Sequence, residues 1–227
     1  IHAVAAPSSF TIPRELPHEF MEDGTAHFQG ICALRHCFDE LQLEGGMQTV
    51  AVKTASLCLA MESGMRALTH TSGRSLCEVY RHHSSSSPSQ QSVEDKEDMK
   101  MEQRIAEQGP TLAFNLNWAD GSPIGHHTVR RWANQPRAGP AITLRVGCFC
   151  NIGGCQEALG LSHEQIQANY ASGRYCWSDD VDLVNGKRTG AVRVSLGRQS
   201  SDADVDAFLH FLKVHFAKTF SIYLTNK

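Results

Sequence analysis

Apolar residues recur at helical spacing in two successive runs near the start of the chain. Phe28, Ile31, Leu34, Phe38 and Leu41 fall at intervals of three and four, the repeat that lines one face of an α-helix. Thr25 reads as the N-cap of this helix, and Gly45-Gly46 as its stop, because glycine enters the left-handed conformation without steric penalty. Val50, Thr54, Leu57, Met61, Met65 and Leu68 share a face of a second helix, so the pattern predicts an amphipathic helical pair. Before it, Pro7, Pro13 and Pro17 interrupt any period and predict an extended entry up to about residue 19.

Strand signals dominate further along. Ser75 to Tyr80 predicts a short strand, Thr111 to Leu116 a second that ends in the turn-forming Ala119-Asp120-Gly121-Ser122-Pro123, and Ala141 to Gly147 a third. Gly190 to Gly197 alternates as a fourth. Helices are predicted over 126–134, from Gln156 to Leu159, and over Ser162 to Tyr170. A last helix carries Val205, Phe208, Leu209, Leu212 and Phe216 on one face, with Ser201 and Asp204 spaced as a capping pair. Helices alternating with strands predict an α/β layer in which helices cover a small sheet. Between them, Ser84-Ser85-Ser86-Ser87-Pro88 and the charged 93–98 stretch hold too few apolar groups to offset the entropy of ordering. Residues 84–105 are therefore expected to form a disordered insertion, dividing the chain into 1–83, the insertion, and a small α/β domain at 106–227.

Composition narrows the function classes. The 227 residues are 41% hydrophobic, enough for a real core, and the formal net charge of -3 gives no broad positive field for nucleic acid. No apolar run approaches the roughly 20 residues that cross a bilayer, so neither nucleic acid nor membrane is an expected partner. The eight cysteines are too sparse for a disulfide scaffold and are expected to be reduced, as in a cytoplasmic protein. The chain opens Ile1-His2-Ala3-Val4, with no initiator methionine, and reads as a fragment.

Three segments hold candidate chemistry. Gly24-Thr25, ahead of a helix, offers backbone N–H groups and a hydroxyl to a phosphate, although plain capping explains the same residues. Gly147-Cys148-Phe149-Cys150 joins a strand end to a glycine-rich turn, where loops project reactive groups from a rigid scaffold. A thiolate there needs a neighbouring positive charge or a helix N-terminus. A zinc site from Cys148, Cys150, Cys155 and either Cys176 or His163 is the rival, but the spacing lacks the usual C-x-x-C knuckle, and no metal is expected. Arg193 interrupts an apolar strand, where a cation must be paired or meet a ligand. A carboxylate substrate fits its planar fork, and so does a salt bridge to Asp179, Asp180 or Asp182.

Taken in order, Phe20-Met21-Glu22-Asp23-Gly24-Thr25, Leu144-Arg145-Val146-Gly147-Cys148-Phe149-Cys150-Asn151, Gly154-Cys155-Gln156, Leu159-Gly160-Leu161-Ser162, Asp179-Asp180-Val181-Asp182-Leu183 and Thr189-Gly190-Ala191-Val192-Arg193-Val194-Ser195-Leu196-Gly197 resemble the NifS-like domain of molybdenum cofactor sulfurases. The resemblance runs from about residue 10 to the end, the 84–105 stretch aside, and the G-C-F-C-N element is its most specific part. It implies the C-terminal small domain of a fold-type-I pyridoxal-phosphate-dependent transferase, with part of the preceding helical segment. The implied activity takes sulfur from L-cysteine as a cysteine persulfide and passes it to the molybdenum cofactor, in a full-length homodimer. By the same resemblance Cys150 is the persulfide nucleophile, Cys148 its nearest rival or assistant, Arg193 the clamp on the substrate carboxylate, and Gly24-Thr25 the contact to the cofactor phosphate. None of Lys53, Lys96, Lys100, Lys187, Lys213 or Lys218 has the sequence context of the family's cofactor-anchoring lysine. The chain alone is thus expected to lack desulfurase activity. The alternatives are a catalytically silent remnant that binds a partner, and a zinc-stabilised module.

Overall fold

The computed structural model describes residues 3–5, 11–13, 15–21, 24–80, 109–136, 139–175 and 181–217. The expected insertion at 84–105 and the candidates Cys176, Asp179 and Asp180 lie outside the described residues. The chain divides into two compact units, 1–49 and 50–227.

In the first unit, strands β1 (Ala3–Ala5) and β2 (Thr11–Pro13) pair antiparallel. The short helix α1 (Pro17–Met21) follows, and then α2 (Phe28–Leu43). Thr25 is not the N-cap of α2. That position falls to His27, and it makes no side-chain capping bond, so nothing in the local sequence secures an earlier start. Helix α3 (Gly46–Ala67) begins in this unit and continues into the second. Gly45 (φ 91°) and Gly46 (φ 79°) make the left-handed break between α2 and α3, as their sequence predicts.

The second unit is built on an antiparallel sheet. Strands β3 (Cys77–Tyr80), β4 (Thr111–Asn117), β9 (Ala191–Ser195) and β6 (Arg145–Gly147) lie in the order β3-β4-β9-β6, with β5 (Pro123–Ile124) also paired to β4. A two-residue hairpin, β7 (Leu183–Val184) with β8 (Lys187–Arg188), stands apart from it. Helices α4 (His126–Asn134), α5 (Ile152–Ala158), α6 (His163–Ala171) and α7 (Asp202–Leu212) complete the unit, and a π-helical turn, Lys213–Ala217, extends α7.

One apolar core joins these elements. Leu112, Phe114 and Leu116 of β4 are fully buried with Val192 of β9, Met61 and Met65 of α3, Val129 of α4 and Leu212 of α7. Phe114 meets Phe208 edge to face, with ring centroids 5.8 Å apart. A Cβ on Gly64 would lie 2.3 Å from Leu209 Cδ1, so glycine lets α3 and α7 approach closely. Capping follows the sequence: Ser201 and Asp204 close a reciprocal capping box on α7, and Ser162 with Gln165 closes another on α6.

Two boundaries differ from expectation. The strand expected over 141–147 is confined to Arg145–Gly147, because the Ile142 N–H is taken by the carbonyl of Ala133 at the end of α4. The helix expected from Gln156 begins at Ile152, because the Asn151 side chain caps it by accepting from the Gly154 N–H at 3.2 Å. Among the described residues no helix is long and apolar enough to cross a membrane.

Candidate functional site: the cysteine loop and its floor

Strand β6 ends at Gly147, and the loop that follows is held in an unusual conformation. Gly147 (φ 97°), Phe149 (φ 55°) and Cys150 (φ 61°) all lie in the left-handed region. For glycine this is free. For Phe149 and Cys150 it costs on the order of 1–2 kcal/mol each, since Cβ crowds the carbonyl oxygen. Such cost persists where the surroundings fix the loop, and here they do: the Asn151 N–H returns to the Cys148 carbonyl at 2.9 Å, and Asn151 then starts α5. The consequence is directional. Cys148 is half-buried against the sheet, whereas Cys150 is exposed at the head of a helix.

The cysteines are not all reduced, contrary to expectation. Cys148 is joined to Cys155 in a disulfide, since β6 and α5 bring their Cα atoms to 5.3 Å, inside the span that a disulfide bridges. Cys148 Sγ also lies 3.6 Å from the Thr189 carbonyl, which accepts from the thiol when this cysteine is reduced. Cys32, Cys37, Cys58, Cys77 and Cys150 stand outside any disulfide, and within the loop Cys150 is therefore the thiol left for chemistry. Burial pushes the Cys77 thiol up to about 12. Brief alkylation of the folded chain should label the exposed Cys150, Cys32 and Cys37 and spare Cys58 and Cys77. Peptide mass mapping checks this, and labelling of Cys77 at the rate of Cys150 would contradict the burial assigned to β3.

Arg193 sits on β9 in register with Arg145 on β6 and Ala113 on β4. Its guanidinium carbon lies 5.3 Å from the centroid of the Phe149 ring, a cation–π contact that draws the arginine toward the cysteine loop. Its Nε is buried without a hydrogen-bond partner among the described residues. A buried donor left open is costly, and an anionic ligand removes the cost. Of the carboxylates weighed as salt-bridge partners, Asp182 is engaged elsewhere. The structure thus sets Arg193 against Phe149, the residue between Cys148 and Cys150 in the loop. Gly24 (φ 68°) and Thr25 are exposed in the first unit, and a Cβ on Gly24 would meet nothing within 4 Å.

A second cluster lies beneath the loop, and sequence reasoning missed it. His126 and His127, the first residues of α4, face Asp182, which lies 55 positions after His127. His127 donates its backbone N–H to the Asp182 carboxylate at 3.2 Å, and its Nδ1 is hydrogen-bonded to the same group. His126 Nε2 approaches Asp182 Oδ1 to 3.4 Å, yet it makes no hydrogen bond, and His126 is 1% exposed. Burial pushes the His126 imidazole down to about 4, against the opposing pull of Asp182. Two glycines make the cluster possible. A Cβ on Gly125 would stand 2.1 Å from Asp182 Oδ2, and one on Gly190 would stand 2.8 Å from Gly147 Cα and 3.0 Å from His126 Cε1. The Asp182 carbonyl accepts from the Thr189 N–H at 3.0 Å, so the cluster is tied to the residue that contacts Cys148. A His-His pair directly after glycine at a helix start was the available signal; its carboxylate was too distant in sequence to be recognised.

In fold the chain is similar to the cysteine desulfurase CsdA of Escherichia coli, on which it superposes with a TM-score of 0.52 at 14% identity, covering 94% of this chain and 36% of that one. No protein-family model matches the chain. In sequence it is 36% identical over 217 residues to the molybdenum cofactor sulfurase of Arabidopsis thaliana, covering 96% of this chain and 24% of that protein. It is 35% identical over 211 residues to the bovine molybdenum cofactor sulfurase, covering 92% of this chain and 21% of that protein. Over the stretch it spans the chain is similar to the molybdenum cofactor sulfurases, and it spans about a quarter of the length of these relatives.

Proposed function

We propose that this chain is the sulfur-carrying segment of a pyridoxal-phosphate-dependent sulfurase that takes sulfur from L-cysteine and delivers it to the molybdenum cofactor. The observation that carries the reading is the pairing of a free, exposed Cys150 on a left-handed turn with a half-buried Arg193 whose Nε is open.

Arg193 binds the carboxylate of the substrate cysteine, with its guanidinium over the Phe149 ring. The Cys150 thiolate attacks the substrate sulfur. An S–S bond forms as the substrate C–S bond breaks, the carbon fragment keeps the electron pair, takes up a proton and leaves as alanine, and no outside oxidant is needed. Bound pyridoxal phosphate supplies the sink for that electron pair. Exposure of Cys150 then lets the outer sulfur of its persulfide reach an acceptor, whereas Cys148 in its disulfide is unavailable until reduced.

The fit of this segment to the cofactor is limited to its phosphate. The open Gly24–Thr25 turn and the side-chain-uncapped first turn of α2 suit an anion. Of the described lysines, Lys53 donates to the Arg198 carbonyl at 2.8 Å, and neither Lys187 nor Lys213 has the sequence setting of an anchor. Covalent attachment of the cofactor and the contacts to its ring are therefore not assigned to these residues, and the homodimer rests on the family resemblance.

The experiment is cysteine-dependent alanine release by the polypeptide that carries this segment together with its lysine-bearing region. Arg193→Lys should raise KM for L-cysteine by roughly 10–100-fold with a smaller change in kcat, because a point charge replaces a bidentate fork. An unchanged KM removes Arg193 from the substrate site. Absence of any alanine release would favour the silent, partner-binding alternative.

A further inference from the structure

Beneath the cysteine loop is a set of side chains that the sulfur chemistry does not use. The coordinating atoms of His126, His127 and Asp182 lie within 4.8 Å of one another. A tetrahedral zinc ion with ligand bonds of about 2.0–2.1 Å separates its ligand atoms by about 3.4 Å. His126 Nε2 and Asp182 Oδ1 stand 3.4 Å apart, whereas His127 Nδ1 is hydrogen-bonded to the same Asp182 oxygen, a bond that an ion between them would replace. His126 is 1% exposed, and its Nε2, aimed into the cluster, has no hydrogen-bond partner among the described residues. A buried ring nitrogen that faces a carboxylate without bonding to it is explained when both face the same cation.

We propose that His126, His127 and Asp182 form a binding site for a borderline divalent cation of the zinc class. Two imidazoles and one carboxylate select this class, since calcium and magnesium take oxygen ligands almost throughout. The set carries a single formal negative charge, and Arg130 and Arg174 act on His126 with positive charge. Binding thus depends on coordinate bonds from nitrogen rather than on bulk attraction, which again disfavours the hard cations. Gly125 serves the site by leaving room for the Asp182 carboxylate at the start of α4. The site is separate from the zinc alternative raised by the loop cysteines, since it uses no sulfur.

Occupancy would fasten the start of α4 to the 181–182 segment. That segment receives the Thr189 N–H on the Asp182 carbonyl and the Thr189 hydroxyl on the Val181 carbonyl at 2.6 Å. Thr189 and Gly190 in turn form the wall against Gly147 and Cys148. The cation is accordingly a clip under the loop and takes no part in the transfer of sulfur.

Cobalt(II) titration of the chain tests this, because cobalt substitutes for zinc and reports its ligands by colour. The first equivalent should give visible bands without the near-ultraviolet charge-transfer band of thiolate ligation, and zinc should displace it while magnesium and calcium do not. His126→Ala and Asp182→Asn should each weaken binding at least about tenfold, and Cys148→Ser with Cys150→Ser should leave it unchanged. Asp182→Asn keeps side-chain shape, and the wild-type spectrum needs no variant at all, so a poorly folded His126→Ala does not blunt the test. Absence of binding at micromolar cobalt, a thiolate band in the first equivalent, or affinity indifferent to both substitutions overturns the proposal. None of these readouts depends on desulfurase activity, so the site stands or falls separately from the function proposed above.

Discussion

Alanine at position 150, in a polypeptide that carries this segment with a cofactor-anchoring lysine, is expected to abolish sulfur delivery, by at least roughly a thousandfold, if Cys150 supplies the attacking thiolate as proposed. The geometry makes the prediction specific to one cysteine. Cys150 is exposed and free on the left-handed turn, whereas Cys148 and Cys155 are bound to each other. Cys155→Ala should therefore retain substantial transfer under reducing conditions, as should Cys148→Ala. Folding of the Cys150→Ala protein is not at issue, since an exposed side chain is trimmed and the left-handed backbone cost is the same for both residues. Rates of sulfur transfer measured for the three variants decide the matter. Transfer that survives Cys150→Ala and is lost with Cys148→Ala would move the nucleophile to the first cysteine of the motif.

The largest loss of stability is expected at Phe114. Its side chain is fully buried at the centre of β4, opposite Val79 of β3 and Val192 of β9, and its ring meets Phe208 of α7 edge to face. Phe114→Ala removes a large apolar surface and leaves a cavity between sheet and helix, at a cost of about 3–5 kcal/mol. Domains are stable by about 5–15 kcal/mol in total, so this one change consumes much of the margin. Urea unfolding followed by circular dichroism measures it, and Phe114→Leu, which fills most of the cavity, should recover over half of the loss. A loss below about 1 kcal/mol for Phe114→Ala, the range of surface positions, would show that β4 does not occupy the centre of the core.

What the sequence revealed was chiefly local. Val50, Thr54, Leu57, Met61 and Met65 repeat at helical spacing, and α3 buries that face. Ser201 with Asp204 predicts a cap, because the bonds concerned span three residues, and the same logic locates α6 after Ser162. Legibility fell where a distant partner decided the outcome. Ile142 looks like a strand residue, but its N–H goes to Ala133, so the strand begins at Arg145. Asp182 was weighed as a partner for Arg193, yet it sits with His126 and His127. Nor does any pattern reveal that Cys148 meets Cys155, since the bend that joins them runs through the left-handed residues Phe149 and Cys150, whose types do not announce that conformation. On α2 the apolar period matches the helix, but Phe28, Ile31, Leu34 and Phe38 are exposed in the chain. Periodicity identifies the face and leaves its covering open.

Within the motif, the sequence pointed to two cysteines, and the structure separates them by burial and bonding state. The most direct test is therefore to find the sulfur itself. After brief exposure of the lysine-bearing polypeptide to L-cysteine and pyridoxal phosphate, persulfides are trapped by alkylation and mapped by peptide mass spectrometry. One added sulfur atom is expected on Cys150 and none on Cys148 or Cys155; added sulfur on Cys148 with Cys150 unmodified would overturn the assignment of Cys150 as the sulfur carrier.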